Sequence, residues 1–344
     1  MTESAGSGAD AVRSVMDLTY GLWRSQTLYA GVELGVFDAV GEEPTPASDI
    51  AEDLDLDPDQ SYRLLRALDS LDLLDEREGR EFTLTPEGTL LRSDHPASLS
   101  GVVEIVNSPD FVTPWNQIPD FVREGGPTPF EREHGEGLFE RTSEDPEFAE
   151  LFNSGMSSLT QVQSEAILQV LADYDFESVS HVCDVAGGRG YMLCKLLAEF
   201  PHLEGTVLDL PSTEGLVAPK LGVEDRCTLV GGDMFESVPE ADRYTLKHVL
   251  HDWGDDEYVQ ILSTVRESAP DDARVLIIEP VVGPNGGDFP KLYDMYMMSS
   301  VEGRVRTDDE HADLLAEAGW ERVSTRADDS GMVTVIEVEK AREE

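Results

Sequence analysis

The sequence predicts an α/β fold: a mostly parallel sheet with helices on both faces, ending in an antiparallel hairpin and preceded by a smaller helical domain. Three observations predict it. From His181 onward, short apolar runs rich in Val, Ile and Leu alternate with segments of helical spacing. The first run ends in a glycine turn, AGGRG, that opens a helix. Ahead of His181 the spacing is helical almost throughout, with one strand-like hairpin.

Taken in order, residues 10–40 read as helices with apolar faces. TPASDIAEDL reads as a short helix with Thr45 or Ser48 as its cap. DPDQSYRLLRALDSLDLL is longer, with Tyr62, Leu64, Leu65, Leu68, Leu71 and Leu74 at helical spacing. DEREGREFTLTPEG then reads as strand, turn at Gly79, strand. Two helices and a hairpin make a winged helix-turn-helix. A helical segment over 97–180 follows. Five strand runs come next: HVCDV, GTVLDLP, CTLVGGDMF, YTLKHVL and ARVLIIEPVV. WERVSTRA and MVTVIEVEK, joined by DDSG, close the chain as a hairpin, which adds one antiparallel strand. The predicted domains are therefore 1–96, 97–180 and 181–344.

Composition removes several function classes. The chain has 71 acidic and 25 basic residues, a net charge of −46. A nucleic-acid partner needs clustered Lys and Arg, and an anionic membrane surface needs the same, so neither is expected. The winged helix-turn-helix is a frequent DNA binder, yet Glu42–Arg80 holds thirteen acids against four arginines. Its expected role is dimerisation. The acids are spread along the chain, a pattern that predicts a protein kept soluble in high salt. Cys183, Cys194 and Cys227 lack metal-ligand spacing and fit small buried thiols in a reducing cytoplasm. No basic-then-apolar leader and no run of about 18 apolar residues is present.

In such sheets ligands sit beyond the carboxyl ends of the strands. Three of those ends carry acids, Asp184, Asp209 and Asp233. Gly187, Gly188 and Gly190 permit close backbone approach to a ligand. Asp209 is placed to accept both hydroxyls of a ribose. Gly232, Asp233 and Met234 suit an adenine, or serve only as core. The full G-x-G-x-x-G is absent, with Leu193 where the third glycine would stand, which counts against a dinucleotide oxidoreductase. His248 and His251 lie three apart at a strand end running into its loop. There they are not expected to face alike, a helical zinc pair needs i and i+4, and no third ligand is near; no metal is expected.

The runs DVAGGRG, GTVLDLP, GGDMFESVP, LKHVLHDW and IIEP, in that order, resemble the S-adenosylmethionine-dependent O-methyltransferases of small hydroxylated aromatics, the caffeate, hydroxyindole and isoflavone type. The likeness spans nearly the whole chain and includes DPEFAELFNSGMSS. It implies a Rossmann-like class I methyltransferase sheet, an N-terminal winged-helix dimerisation domain, a homodimer, and S-adenosylmethionine as cofactor. It also implies site roles. Asp184, Ala186, Gly187, Gly188 and Gly190 line the methionine part. Asp209 and the adjacent Leu210 hold the ribose, Asp233 and Met234 flank adenine, and Lys247 lies beside the cofactor. His251 matches the catalytic base and Glu279 the acid that orients it; Asp252 supports the site or caps the next helix, and Trp253 covers the adenine or packs. By family position Phe148, Phe152, Met156, Tyr296 and Met297 wall a pocket between the domains for a flat apolar acceptor.

Three positions depart from the family pattern. Ala186 stands where glycine is common, which a backbone contact survives if φ stays negative. GRVRT puts Val305 where many relatives carry a second acid, leaving His251 one carboxylate partner. Leu159 takes a position that is polar in some relatives. Methylation of carbon or nitrogen, and a cofactor-binding regulator without catalysis, are the competing readings.

Overall fold

The structure is a computed structural model. It describes residues 4–41, 43–172, 174–211, 221–283, 287–328 and 331–342. The chain forms two compact units, Met1–Val112 and Thr113–Glu344.

In the first unit, helices Ser4–Thr19 and Gly21–Glu33 come first. Strand β1 (Thr45–Pro46) precedes helices Ala47–Asp53 and Pro58–Asp69, and β2 (Leu74–Arg77) and β3 (Glu81–Leu84) form the hairpin. The sheet order is β1-β3-β2. Helix Pro58–Asp69 starts where the Asp57 carboxylate accepts the N–H groups of Asp59 and Gln60, with Pro58 at the first turn. Its Leu65 and Leu68 pack into a core with Phe37, Ile50, Leu74 and Phe82. The expected caps of helix Ala47–Asp53 are not used. Thr45 pairs with Phe82 in β1, and its hydroxyl takes the N–H of Gly41 instead, while Ser48 donates to Asp49. The short helices Ser100–Asn107 and Pro109–Val112 fold with this unit.

The second unit begins with short helices and the long helix Pro146–Leu171, which Asp145 caps by accepting the N–H groups of Glu147 and Phe148. Seven strands follow: β4 (His181–Val185), β5 (Glu204–Asp209), β6 (Cys227–Gly231), β7 (Arg243–Lys247), β8 (Arg274–Glu279), β9 (Trp320–Ala327) and β10 (Thr334–Lys340), in the order β6-β5-β4-β7-β8-β10-β9. The first five are mutually parallel, and β10 runs antiparallel to both neighbours. Among the described residues of this sheet, the strand antiparallel to its neighbours is thus β10, inserted one place inside the edge strand β9. Residues 329 and 330 of the DDSG turn lie outside the described residues.

Both faces of the sheet are apolar because alternate side chains enter different cores. Val275 and Ile277 of β8 pack with Tyr244, Leu246, Ile261 and Trp320. Leu276 and Ile278 pack with Val182, Leu193, Leu197 and Val207. The order reverses between β4 and β7, so their carboxyl ends open a crevice at a topological switch point.

Candidate active site

Three strand tips form one wall of that crevice. After β4 the backbone enters the left-handed region at Ala186 (φ 54°), Gly188 (φ 57°) and Gly190 (φ 74°). Ala186 therefore does not meet the condition of a negative φ under which a backbone contact there survives the loss of glycine. The turn must bend over the buried Asp184, and a Cβ on Gly187 would lie 2.5 Å from that carboxylate. Gly188 donates its N–H to Asp209 Oδ2 at 2.6 Å, and Leu210 donates to Oδ1 at 2.8 Å. Gly232 donates its N–H to the Asp209 carbonyl at 2.8 Å, locking the β6 tip to the β5 tip. Asp233 takes the N–H of Phe235.

Under the glycine turn, Thr245 donates to Asp184 Oδ1 at 2.6 Å. Burial pushes Asp184 up to about 6, against the Thr245 hydroxyl and the Lys247 charge. Lys247, one strand over, donates to Thr160 Oγ1 on the long helix at 3.0 Å. Burial pushes it down to about 8, opposed by Asp184 and Asp252.

These tips line a cavity of about 810 Å³ within the second unit. Asp184, Ala186, Gly187, Gly188, Asp209, Leu210, Asp233, Met234 and Lys247 all face it. Gly190 does not; it stands at the start of helix Tyr191–Glu199. Of the five acceptor-wall candidates, Phe152 and Met156 line the cavity. Phe148 is instead packed against Phe130 at 6.0 Å, under the Arg141 guanidinium. Tyr296 stacks on Tyr293, and Met297 is buried; neither reaches the cavity wall. Trp253 lines it, stacked on Phe139 at 5.3 Å and 12°.

The turn after β7 holds the titratable centre. His248 is left-handed (φ 54°) and the 3-10 helix Leu250–Asp252 follows. That fold-back places the His248 and His251 rings 5.0 Å apart, so the two do meet, contrary to their strand-end spacing. Among the described residues, no group of three His, Cys, Asp or Glu is arranged to hold a metal. Burial holds the His248 pKa well below 6.5, and its Nδ1 lies 3.5 Å from the Tyr293 hydroxyl.

His251 and Glu279 are each 2% exposed. The His251 Nδ1 lies 3.1 Å from Glu279 Oε2, which already accepts the backbone N–H of His251 at 3.1 Å. The shared oxygen leaves Nδ1 off the line of a hydrogen bond. Asp252 Oδ1 lies 3.6 Å from His251 Nε2. His251 thus has two carboxylate neighbours, not one, the second being its own sequence neighbour. Val305 is buried and only gives its N–H to Asp294. Asp252 caps no helix, since helix Asp255–Ser268 starts at Gly254; it faces the cavity, and His251 stands behind it. Burial opposes a charged His251, but Asp252 and Glu279 outweigh it and its pKa is raised from 6.5. Burial likewise pushes Asp252 up to about 6, with His251 opposing and Glu279 reinforcing.

Several supports carry no local sequence signal. Arg306, wholly buried, donates to the carbonyls of Leu250 and Trp253 and to Asp255. Gly303 lies against the backbone of His251, Asp252 and Trp253, with no room for a Cβ. Thr160 and Thr245 hold Lys247 and Asp184. Only Thr245 was within reach of sequence reasoning, as it sits two positions before Lys247 on the same strand face.

The chain matches the O-methyltransferase domain model over residues 115–321 and the O-methyltransferase dimerisation domain model over residues 16–94. It is 31% identical to the mitomycin biosynthesis 6-O-methyltransferase of Streptomyces lavendulae, covering 98% of each chain. It is 32% identical to the 8-amino-8-demethylriboflavin N,N-dimethyltransferase of Streptomyces davaonensis, covering 86% of each. Human N-acetylserotonin methyltransferase, solved in complex with S-adenosylmethionine, superposes with a TM-score of 0.88 at 25% identity, over 96% of this chain and 98% of that one. With a glycine turn, the Asp209 carboxylate and the Asp233–Met234 pair around one cavity, this chain belongs to the S-adenosylmethionine-dependent O-methyltransferases, and to the group that carries their dimerisation domain.

Proposed function

We propose that the protein methylates a hydroxyl of a small, flat, apolar metabolite, with His251 as general base, as a cytoplasmic homodimer joined through its N-terminal unit. The observation that carries this reading is the buried His251–Glu279 pair set behind a cavity partly walled by Phe139, Phe152, Met156 and Trp253. S-adenosylmethionine supplies an electrophilic methyl group when bound. The residues suited to hold it are Asp209, Asp233, Met234 and the turn after β4, whose backbone and carboxylates fit an adenosyl group.

The acceptor hydroxyl must be aligned and relieved of its proton as its oxygen attacks. Aromatic and thioether walls favour a flat acceptor and exclude water. Glu279 occupies the Nδ1 side of His251, so Nε2 is the nitrogen free to take a proton. Glu279 and Asp252 then stabilise the imidazolium. For the dimer, the dimerisation-domain match is joined by exposed apolar side chains on the first two helices, including Val12, Val15, Leu18, Leu22 and Trp23.

The test incubates the protein with isotope-labelled methyl donor and a host metabolite extract in molar salt, and reads labelled products by mass spectrometry. His251→Ala is expected to lower turnover by roughly 10²-fold or more while donor affinity, read by calorimetry, stays within about twofold. Unchanged turnover removes the base assignment. The likeness to an N,N-dimethyltransferase favours a second reading, an amine acceptor; a label found on nitrogen would establish it.

A further inference from the structure

Behind Glu279 lies a second histidine that neither the sequence motifs nor the proposed mechanism employs. His311, on helix Asp308–Glu317, is wholly buried, and its Nε2 lies 3.8 Å from Glu279 Oε1. That is the carboxylate oxygen turned away from His251. On its other side, His311 Nδ1 lies 3.0 Å from the Tyr258 hydroxyl of helix Asp255–Ser268. Among the described residues, Glu279 Oε1 and His311 Nε2 are both sealed from solvent without a hydrogen-bond partner, and so is His251 Nδ1. Three buried, unsatisfied polar atoms in one array are costly unless they serve one another.

The tautomer follows from the contacts. If the Tyr258 hydroxyl donates to Nδ1, the His311 proton sits on Nε2 and points at the carboxylate. The other tautomer sets the Nε2 lone pair against an anionic oxygen with nothing between them. Closing 3.8 Å to a hydrogen bond takes a shift of about 1 Å.

We infer that His311 is a positioning residue for the base: a neutral imidazole, fixed by Tyr258, that donates Nε2–H to the far oxygen of Glu279 and holds that carboxylate ionised and aimed at His251. The array reads Tyr258 O–H to His311 Nδ1 and His311 Nε2–H to Glu279 Oε1, with the His251 Nδ1–H facing Glu279 Oε2 at 3.1 Å. This gives the acid a partner on a helix some distance along the chain, where the GRVRT run offers only Val305. Other groups facing the array agree with it. Burial keeps the His311 pKa below 6.5 against the pull of Glu279, with the Arg306 and Arg322 charges aiding burial and Asp308 opposing it. Burial pushes Glu279 upward, but His251, His311 and Arg306 outweigh it and hold its pKa below the usual value. His251 is faced by Asp252 and Lys247, and its ring packs on those of His248 and Tyr293.

The inference rests on His251 being the base, and the test separates the two. The first readout needs neither donor nor acceptor: nitrogen NMR titration of ¹⁵N-histidine-labelled protein, with the His251 signals assigned by their loss in His251→Asn. A donor to Glu279 favours its bare anion over the form shared with an imidazolium, so losing the donor raises the pair's proton affinity. His311→Phe is therefore expected to move the His251 titration to higher pH by about half a unit or more, and His311→Gln, which keeps an N–H at that place, to restore it. The second readout is turnover on catechol and 5-hydroxyindole acceptors. His311→Phe is expected to lower kcat roughly tenfold with both KM values within about twofold, and His311→Gln to recover most of it.

An unmoved titration, or equal losses in the Phe and Gln variants, overturns the inference and leaves His311 as packing. Should His311→Phe not fold, Tyr258→Phe removes the hydroxyl that sets the tautomer and must shift the titration the same way; no shift overturns the inference. If His251→Ala keeps its turnover, the base reading falls and takes this one with it. If His251→Ala is inactive but His311→Phe behaves as the parent, this inference alone falls.

Discussion

At the scale of single residues, the site depends on where charge is left uncompensated. His251 is buried, which alone would favour its neutral form, yet Asp252 and Glu279 favour the proton and prevail. A base works only when deprotonated, so activity must rise as pH climbs through the raised imidazole value. The acid limb of kcat is expected above pH 6.5. Glu279→Gln removes one of the two charges that favour the imidazolium. Its limb is expected to move down, opposite in sign to the shift expected of His311→Phe, and kcat to fall roughly 10–100-fold. A pH–rate profile in which the Gln variant keeps the parent's limb would show that Glu279 does not tune the base. Ala186 illustrates a different residue-scale effect. A left-handed alanine costs about 1–2 kcal/mol, and it is tolerated because the turn over Asp184 is fixed on both sides, by β4 and by the Gly188–Asp209 hydrogen bond.

At the scale of elements, the loop carrying His251 is held by a segment about fifty residues later in the chain. Gly303 lets that segment lie against the loop's backbone, and Arg306 ties down the Leu250 and Trp253 carbonyls. Gly303→Ala puts a methyl group where the His251 carbonyl and the Asp252–Trp253 peptide already are, so the loop must move by more than the tolerance of a proton transfer. Turnover is expected to fall by about 10²-fold with donor affinity little changed, because the strand tips after β4, β5 and β6 are untouched. Equal kcat in the two proteins would mean that the loop's placement is not critical. Here the limit of sequence reading becomes visible. The strands were legible because Val275–Ile278 is apolar at every position, which only a sheet covered on both faces buries. The glycine turn and the end-of-strand acids were legible because turn chemistry and strand ends are local. What was not legible is which distant side chains meet: Lys247 with Thr160, Glu279 with His311, the His251 loop with Gly303. Nor could spacing give the fold-back at His248 that brings its ring to His251. A residue in the left-handed region reverses the local direction of the chain, and nothing in the letters LKHVLHDW requires it. The same holds for Phe148, Tyr296 and Met297, whose apolar character fits a pocket wall as well as a core.

At the scale of the whole molecule, electrostatic self-repulsion dominates, because the net charge is −46. The few cations are largely committed to ion pairs: Arg304 and Arg306 both reach Asp255, Arg274 reaches Glu337 and Glu339, and Arg189 reaches Glu150. Most surface acids therefore repel one another. At 0.1 M salt the screening length is about 10 Å, comparable to the spacing of surface charges, while at 1 M it is about 3 Å. Self-repulsion in the folded state is relieved over that interval, because unfolding lets the charges move apart. The melting temperature in potassium chloride is accordingly expected to climb by roughly 10 °C or more between about 0.1 and 1 M. A general salting-out effect would also stabilise the protein, but it strengthens apolar burial steadily with concentration. Screening instead acts mainly below about 1 M and then levels off. A curve of melting temperature against salt that is steep at first and shallow later is thus the signature of relieved repulsion. A straight line would assign the gain to apolar burial, and a flat curve would mean that the acidic surface brings no dependence on salt, leaving the expectation of a protein kept soluble in high salt without support.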